Sequence, residues 1–430
     1  MEHRKRANRP DGPAQQTLKP NVMTTPQPQA RRCDGSVLVI TLLIALLLGM
    51  VLASYLLLVR AQSVSVARSQ AWHAALGMAE AGVEEALAKL NTLPFATNVT
   101  EAWSATTSLA GGNYAVSYAA NLPPVIYSTG YAEVPALSAT LTRTLRVQTD
   151  LLPLFFVGAE VEGAIRLNGH NLTSDGYNSD NPFYSDEGKY VPGGNTTDNG
   201  DIASTVGLAD VSSANIRGKL FVGAASTNQT GTGFYVKDGI AHDFNAEYPE
   251  VPAPSFGGSS RAPPTSSAYT YSLSGFNYRT NYLKGSVIVN PSSQAVLHLT
   301  GYAAITNLVV SKRSSLRIYA GGTNTTIIGQ ISLLEEGKPK DFQYYGLPGN
   351  TSIILSGVSN FIGTIYAPNA CLTVESGGVN TLDFQGALIV GELNLKTHFN
   401  LHYDEFLRRA PEYAPTRGFI VTNWTELPPP

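Results

Sequence analysis

The chain has 430 residues, a formal net charge of −3 and only 14% charged residues, enough length for two or three domains. So low and balanced a charge gives no bulk attraction for a polyanion, and no nucleic-acid partner is expected. With 40 glycines and 21 tyrosines against few charges, the composition suits a mainly β exported protein with many turns. Of the two cysteines, Cys33 precedes an apolar run and Cys371 sits between Ala370 and Leu372. No intramolecular disulfide is expected from that pair. Cys33 does not read as a lipid-attachment site, and Cys371 reads as a small core residue.

Residues 1–35 form a basic leader. Five prolines among polar residues (Pro10, Pro13, Pro20, Pro26 and Pro28) leave it nothing to bury, so disorder is expected there. From Val37 to Val59 the sequence is VLVITLLIALLLGMVLASYLLLV, with Thr41, Ser54 and Tyr55 its only mildly polar members. At helical rise this run covers the roughly 30 Å hydrocarbon core of a bilayer. Residues 1–32 carry Arg4, Lys5, Arg6, Arg9, Lys19, Arg31 and Arg32 against Glu2 and Asp11, so the N-terminus is expected in the cytoplasm and everything after Arg60 outside it. The apolar core is too long for a cleaved secretory signal, and helix-forming Ala, Leu and Glu continue without proline until Pro94. One helix over 36–91 is therefore predicted, its second half amphipathic through Val64, Ala67, Ala71, Ala74, Met78, Ala81, Glu85 and Leu87.

A basic leader, a glycine at the start of the apolar run and this long two-part helix together resemble the N-terminus of type IV pilins and type II secretion pseudopilins. The resemblance covers roughly residues 31 to 150. It implies cleavage by a prepilin peptidase between Gly35 and Ser36, and packing of the apolar half among neighbouring pilin or pseudopilin subunits. The family usually has Glu at the fifth mature position, where this chain has Ile40. That departure argues against a major filament-building subunit. The run AEAGVEEALAKLN from Ala79 to Asn91 is similar to PilX-type minor pilus-assembly proteins, which often lack that Glu.

In 92–152, three stretches read as strands of a small pilin-like meander: Asn113 to Ala119, Val125 to Ala132 and Ala139 to Thr149. Over 153–409 short β-branched bursts recur between Gly, Asn and Ser, every 8–12 residues from about Gly285. Tight turns between such short bursts predict a parallel right-handed β-helix, with a β-sandwich as the alternative. Two excursions interrupt it: a polar one from Asn168 to Asp201, and a Pro-rich one from Tyr248 to Thr280. The segment FIGTIYAPNACLTVESGG and the later HYDE at His402 to Glu405 resemble the closing coils of a bacterial surface domain of unknown function often found behind PilX-type N-termini. In that reading Pro368-Asn369 makes a turn between coils, and a short helix from Asp404 to Arg409 caps the end. Residues 410–430 read as a Pro-rich tail.

Asp175, Asp180, Asp186, Asp198 and Asp201 in the first excursion are weak candidates for Ca²⁺, since carboxylate oxygens suit a hard cation. Their spacing matches no known calcium loop, and a solvated turn cluster is the preferred reading. His398 and His402, four apart on one strand face, could bind a metal with Asp404. Trp72 and Trp103 read as packing residues. H-E-x-x-H, G-x-S-x-G, Walker and C-x-x-C patterns are all absent. No catalytic or cofactor-binding residue is assigned, and the chain is read as a non-enzyme. A membrane-tethered polysaccharide lyase or hydrolase is the alternative, with Asp175, Asp180 and Asp186, or Asp383 with Glu392, as its carboxylates. The expected function is a single-pass inner-membrane minor pilin-like subunit. Its C-terminal domain would lie in the periplasm or at the cell surface, displayed for assembly or adhesion. A surface adhesin with no filament role is a further reading. Membrane lipid, other pilin subunits, the prepilin peptidase and a surface polysaccharide are the expected partners.

Overall fold

Helix-favouring residues without proline sustain one 58-residue helix, Asp34–Asn91. The computed structural model describes residues 34–92, 99, 101–135, 137–209, 213–226, 233–245, 247–256, 259–322, 325–333, 337–375, 378, 380–409 and 416–428. The leader, including Cys33, lies outside them, and of Gly35 and Ser36 only the helical backbone is described. The chain divides into two compact units, Met1–Val66 and Ala67–Pro430.

Within the second unit the helix buries Ala71, Ala75, Ala79, Val83, Ala86 and Leu90, spaced three or four apart so that they form one stripe. The predicted face is displaced by one residue, since Ala74 is exposed and Ala75 buried. This stripe packs on a five-stranded antiparallel sheet in the order Trp103–Leu109, Gly112–Tyr118, Val125–Val134, Ala139–Pro153, Thr416–Leu427. The approach is close: a Cβ built on Gly130 would lie 2.0 Å from the carbonyl oxygen of Ala75. Only glycine at that sheet position and alanine on the helix let the two backbones meet so nearly. The strand Trp103–Leu109 was not among those expected. It joins Gly112–Tyr118 through a tight turn in which Gly111 takes φ +88°, a conformation glycine adopts at little cost.

Thr416–Leu427, in the segment read as a Pro-rich tail, pairs antiparallel with Ala139–Pro153. Asn91, at the helix C-terminus, secures it. Its Oδ1 accepts from Phe419 N at 2.7 Å, and its Nδ2 donates to Phe419 O at 3.3 Å. Arg143 forms a two-pronged ion pair with Glu426, at 2.6 and 2.5 Å, and lies over the Trp72 ring.

Among the described residues the larger sheet has 19 strands, and every ladder between its named strands is parallel. The protein is mainly β with one long N-terminal helix, but the right-handed β-helix and the β-sandwich expected from the burst spacing are both corrected. The architecture is a six-stranded, all-parallel closed barrel with extra strands. Two observations explain the difference. First, several bursts belong to one strand: FIGTIYA and CLTVE are the two halves of Asn360–Glu375. Between Ala367 and Cys371 the register shifts, so Pro368, Asn369 and Ala370 form a bulge opposite Gly391 where a turn between coils was predicted. Second, the sheet does not advance from the N- to the C-terminal end of the segment. Thr381–Lys396 returns to pair with Ala159–Val161 and Ala164–Arg166, and His398–Asp404 with Asn171–Tyr177.

Inward-facing apolar residues of all these strands make one core. In-register parallel pairing stacks Phe361 on Phe384 with centroids 4.5 Å apart and planes 8° from parallel. A five-residue 3-10 turn, Glu405–Arg409, follows the last strand of the larger sheet.

Candidate functional site

Two regions carry features beyond packing. The first is the apolar run in the first unit. Its large side chains from Val37 to Leu58 are solvent-exposed, and the helix is long and apolar enough to cross a membrane. The polar groups within it are met internally: Thr41 Oγ1 donates to Leu38 O at 3.0 Å, and Ser54 Oγ to Met50 O at 2.8 Å. Bonding back to the helix in this way spares those two hydroxyls the cost of facing hydrocarbon unpaired.

The second is a polar face on the outside of the parallel sheet. Because parallel strands pair in register, outward residues line up across them: Asp383 with Asn400 and Thr173, and Gln385 with His402 and Asp175. The first row is chained, Thr173 Oγ1 donating to Asn400 Oδ1 at 2.7 Å and Asn400 Nδ2 to Asp383 Oδ1 at 2.7 Å. In the second, His402 Nδ1 lies 2.6 Å from Asp175 Oδ1, and its Nε2 lies 3.6 Å from Asp383 Oδ1. Burial alone would disfavour the imidazolium. The two carboxylates outweigh that, so the His402 pKa is raised and Asp383, bonded to His402, is held below its usual range.

The polar excursion folds over this face. The Tyr190 ring stacks on His402, its hydroxyl donates to Asp175 Oδ2 at 3.0 Å, and its amide donates to Gln385 Oε1 at 3.0 Å. No hydroxyl or thiol nucleophile bonds to the imidazole among the described residues. Chemically the arrangement is a counter-ion clamp that pins a loop.

Two residue pairs further along, Asp404 faces Tyr177. Asp404 is fully buried, its Oδ1 accepts from Ser179 N at 2.9 Å and Phe406 N at 3.1 Å, and among the described residues its Oδ2 has no hydrogen-bond partner. Burial pushes its pKa up to about 6.

The structure separates most of the carboxylates named from sequence. Asp180 pairs with Lys338 Nζ at 2.9 Å, which lowers its pKa. Asp186 is exposed in a tight turn closed by Lys189. Asp198 pairs with Lys237 and Arg217, and Asp201 with Arg408 at 3.2 Å. Each of these except Asp186 has a cation as its neighbour. Asp175 stands apart from them in the His402 clamp. Asp383 faces His402, whereas Glu392 is exposed opposite Cys371. His398 accepts from Asn171 N at 3.0 Å and does not share the His402 site. Among the described residues no three His, Cys, Asp or Glu side chains are grouped to hold a metal ion. Trp103 stacks on Tyr118 at 5.5 Å.

Tyr190, Gln385 and Asn400 were not singled out beforehand. A signal for part of this set exists in the alternation D-x-Q, N-x-H-x-D and T-x-D-x-Y at Asp383, Asn400 and Thr173, three strands with polar residues on the same face. Nothing local points to Tyr190.

Residues 279–410 match a family model described as Domain of unknown function (DUF7305). A comparison with curated proteins gives no match. Among solved structures, the crystal structure of competence-associated pilin ComZ from Thermus thermophilus is similar at a TM-score of 0.30 and 12% identity, over 82% of this chain and 96% of that one. A likeness of that size carries no assignment.

Proposed function

We propose that the protein is a membrane-anchored, minor pilin-like structural subunit with no catalytic role and no cofactor. The observation that carries this reading is the helix Asp34–Asn91, bare and apolar over its first half and carrying one stripe packed on an antiparallel sheet over its second. A free apolar helix needs lipid or other helices around it, and a pilin-type assembly supplies both in turn. In this reading the protein inserts in the inner membrane with its N-terminus in the cytoplasm. A prepilin peptidase cuts between Gly35 and Ser36, and the domain beyond is displayed for assembly or surface adhesion. Ile40 at the fifth mature position fits a PilX-type assembly protein, since these often lack the Glu there.

The test is N-terminal sequencing of the mature protein from membranes of its host, with and without the prepilin peptidase. A peptidase-dependent start at Ser36 is expected. An intact leader in both strains overturns the pilin mechanism.

A further inference from the structure

On the parallel sheet lies a surface cleft of about 470 Å³ whose lining includes Asn277, Gln294, Arg313, Arg317 and Lys340. A second hollow of about 380 Å³ shares Asn277 and Gln294 with it and adds Arg261 and Phe276. The two hollows adjoin at these shared residues, and together they are called the groove.

Its chemistry is uneven in a way packing does not require. Arg313 sits in the turn before Ser315–Ala320 at φ +55°, and Arg317 projects from that strand between Val296 and Gln343. Both are exposed, and among the described residues neither has a carboxylate partner. The one acid in the lining, Asp341, is turned inward, its Oδ2 accepting from Lys338 N at 2.8 Å. Among the described residues, Arg313 and Arg317 therefore present guanidinium groups to the groove without a counter-charge. Beside them stand two side-chain amides, donors and acceptors at once, and a half-exposed aromatic ring. Phe276 is 46% exposed and carries the Arg261 guanidinium 4.0 Å from its centroid. Backbone bonds between Arg261 and both Asn277 and Arg279 hold that edge in place.

We infer that this groove binds a carboxylated oligosaccharide, its uronate groups on Arg313 and Arg317, its hydroxyls on Asn277 and Gln294, and a sugar face against Phe276. A planar guanidinium meets a carboxylate through two parallel hydrogen bonds, which an ammonium does not reproduce. Amides suit hydroxyls, and an aromatic edge suits the C–H face of a pyranose. A nucleic acid fits less well: its binding is carried largely by neutralising many phosphates, and the groove offers few cations on a chain of net charge −3. The inference deepens the surface-display reading by naming a ligand class. Its test does not depend on leader processing, so either can fail without the other.

The experiment is calorimetric titration of the full chain in detergent with hexamers of galacturonate and of alginate-derived uronates. The same hexamers with methyl-esterified carboxylates, and a single-stranded oligonucleotide, serve as comparisons. Expected results are binding of at least one uronate hexamer, weakening with added salt, and at least a tenfold loss on esterification. Arg317→Gln and Arg313→Gln should each weaken binding about tenfold with the melting temperature unchanged, and Arg317→Lys should restore it only in part. The proposal is overturned if no uronate hexamer binds, if the esters bind equally well, if the arginine variants bind as before, or if the oligonucleotide binds in preference.

Discussion

The Tyr190 ring lies on the His402 imidazole, centroids 3.6 Å apart and planes 16° from parallel, fixing the polar excursion to the outer face of the sheet. An imidazolium under an aromatic face gains both stacking and cation–π attraction, together about 1–2 kcal/mol. Tyr190→Ala should therefore raise amide exchange in residues 181–192 roughly tenfold or more while the strands keep their protection. Unchanged exchange there would remove the clamp.

The same contact depends on pH. His402 has a folded pKa above its ordinary 6.5, so its contribution is fully present below that value and is lost as pH rises through the folded one. Loop protection should hold below about pH 6.5 and fall as pH rises above it. His402→Gln should flatten the profile, and a wild-type profile already flat would show that the charge plays no part.

Asp404 works in the opposite sense to a paired acid. Its folded pKa of about 6 lies above the ordinary 3.8, so the folded state prefers the proton, and stability declines as pH rises through that interval. Asp404→Asn keeps an acceptor for Ser179 and Phe406 and removes the buried charge. It should stabilise the protein by up to about 3 kcal/mol at pH 8, with the gain vanishing below pH 4. Thermal unfolding at the two pH values checks this, and a variant less stable at pH 8 would contradict it.

At Gly130 the helix and the meander approach closely, with Ala75 O and Ala79 N in the way of any side chain. Backbone atoms cannot rotate aside. Gly130→Val should lower stability by about 3 kcal/mol, the upper end for overpacking, and detach the helix from the sheet. Proteolysis within 67–91 is the sensitive readout.

Arg417 donates to buried Glu160 and, through Nε, to Leu154 O at 3.0 Å. Burial raises the Glu160 pKa, and Arg417 pulls it back. Arg417→Gln should cost about 3–5 kcal/mol at neutral pH, because it strands a carboxylate that water cannot reach. Adding Glu160→Gln should recover most of the loss, and a double variant no better than the single would rule out the stranded charge as its cause.

The elements readable in the sequence are those whose signal is local. Val125–Val134 and Ala139–Pro153 lie within a few residues of the stretches that alternation marked, and the helix follows from composition alone. Trp103–Leu109, WSATTSL, was missed because it is an edge strand whose side chains are all at least partly exposed and so lacks apolar alternation. The closed sheet was missed for a different reason. Bulged strands such as Asn360–Glu375 look like two short ones, and a return of Thr381–Lys396 to Ala159–Val161 leaves no local trace. His402 was flagged for its neighbour His398, yet its true partners, Asp175 and Tyr190, come from far earlier in the chain.

Thr416 pairs with Pro153, so the chain leaves the antiparallel sheet and re-enters it at adjoining positions, with the whole parallel barrel between. On a ribosome, the four strands from Trp103 to Pro153 emerge early and must wait, one edge open, while the barrel is made and folds. The sheet is completed only when residues 416–427 are released. Translation order thus makes the barrel a checkpoint: a nascent chain stalled or clipped within it presents an uncapped edge at Ala139–Pro153, a mark by which quality control could distinguish unfinished molecules from finished ones.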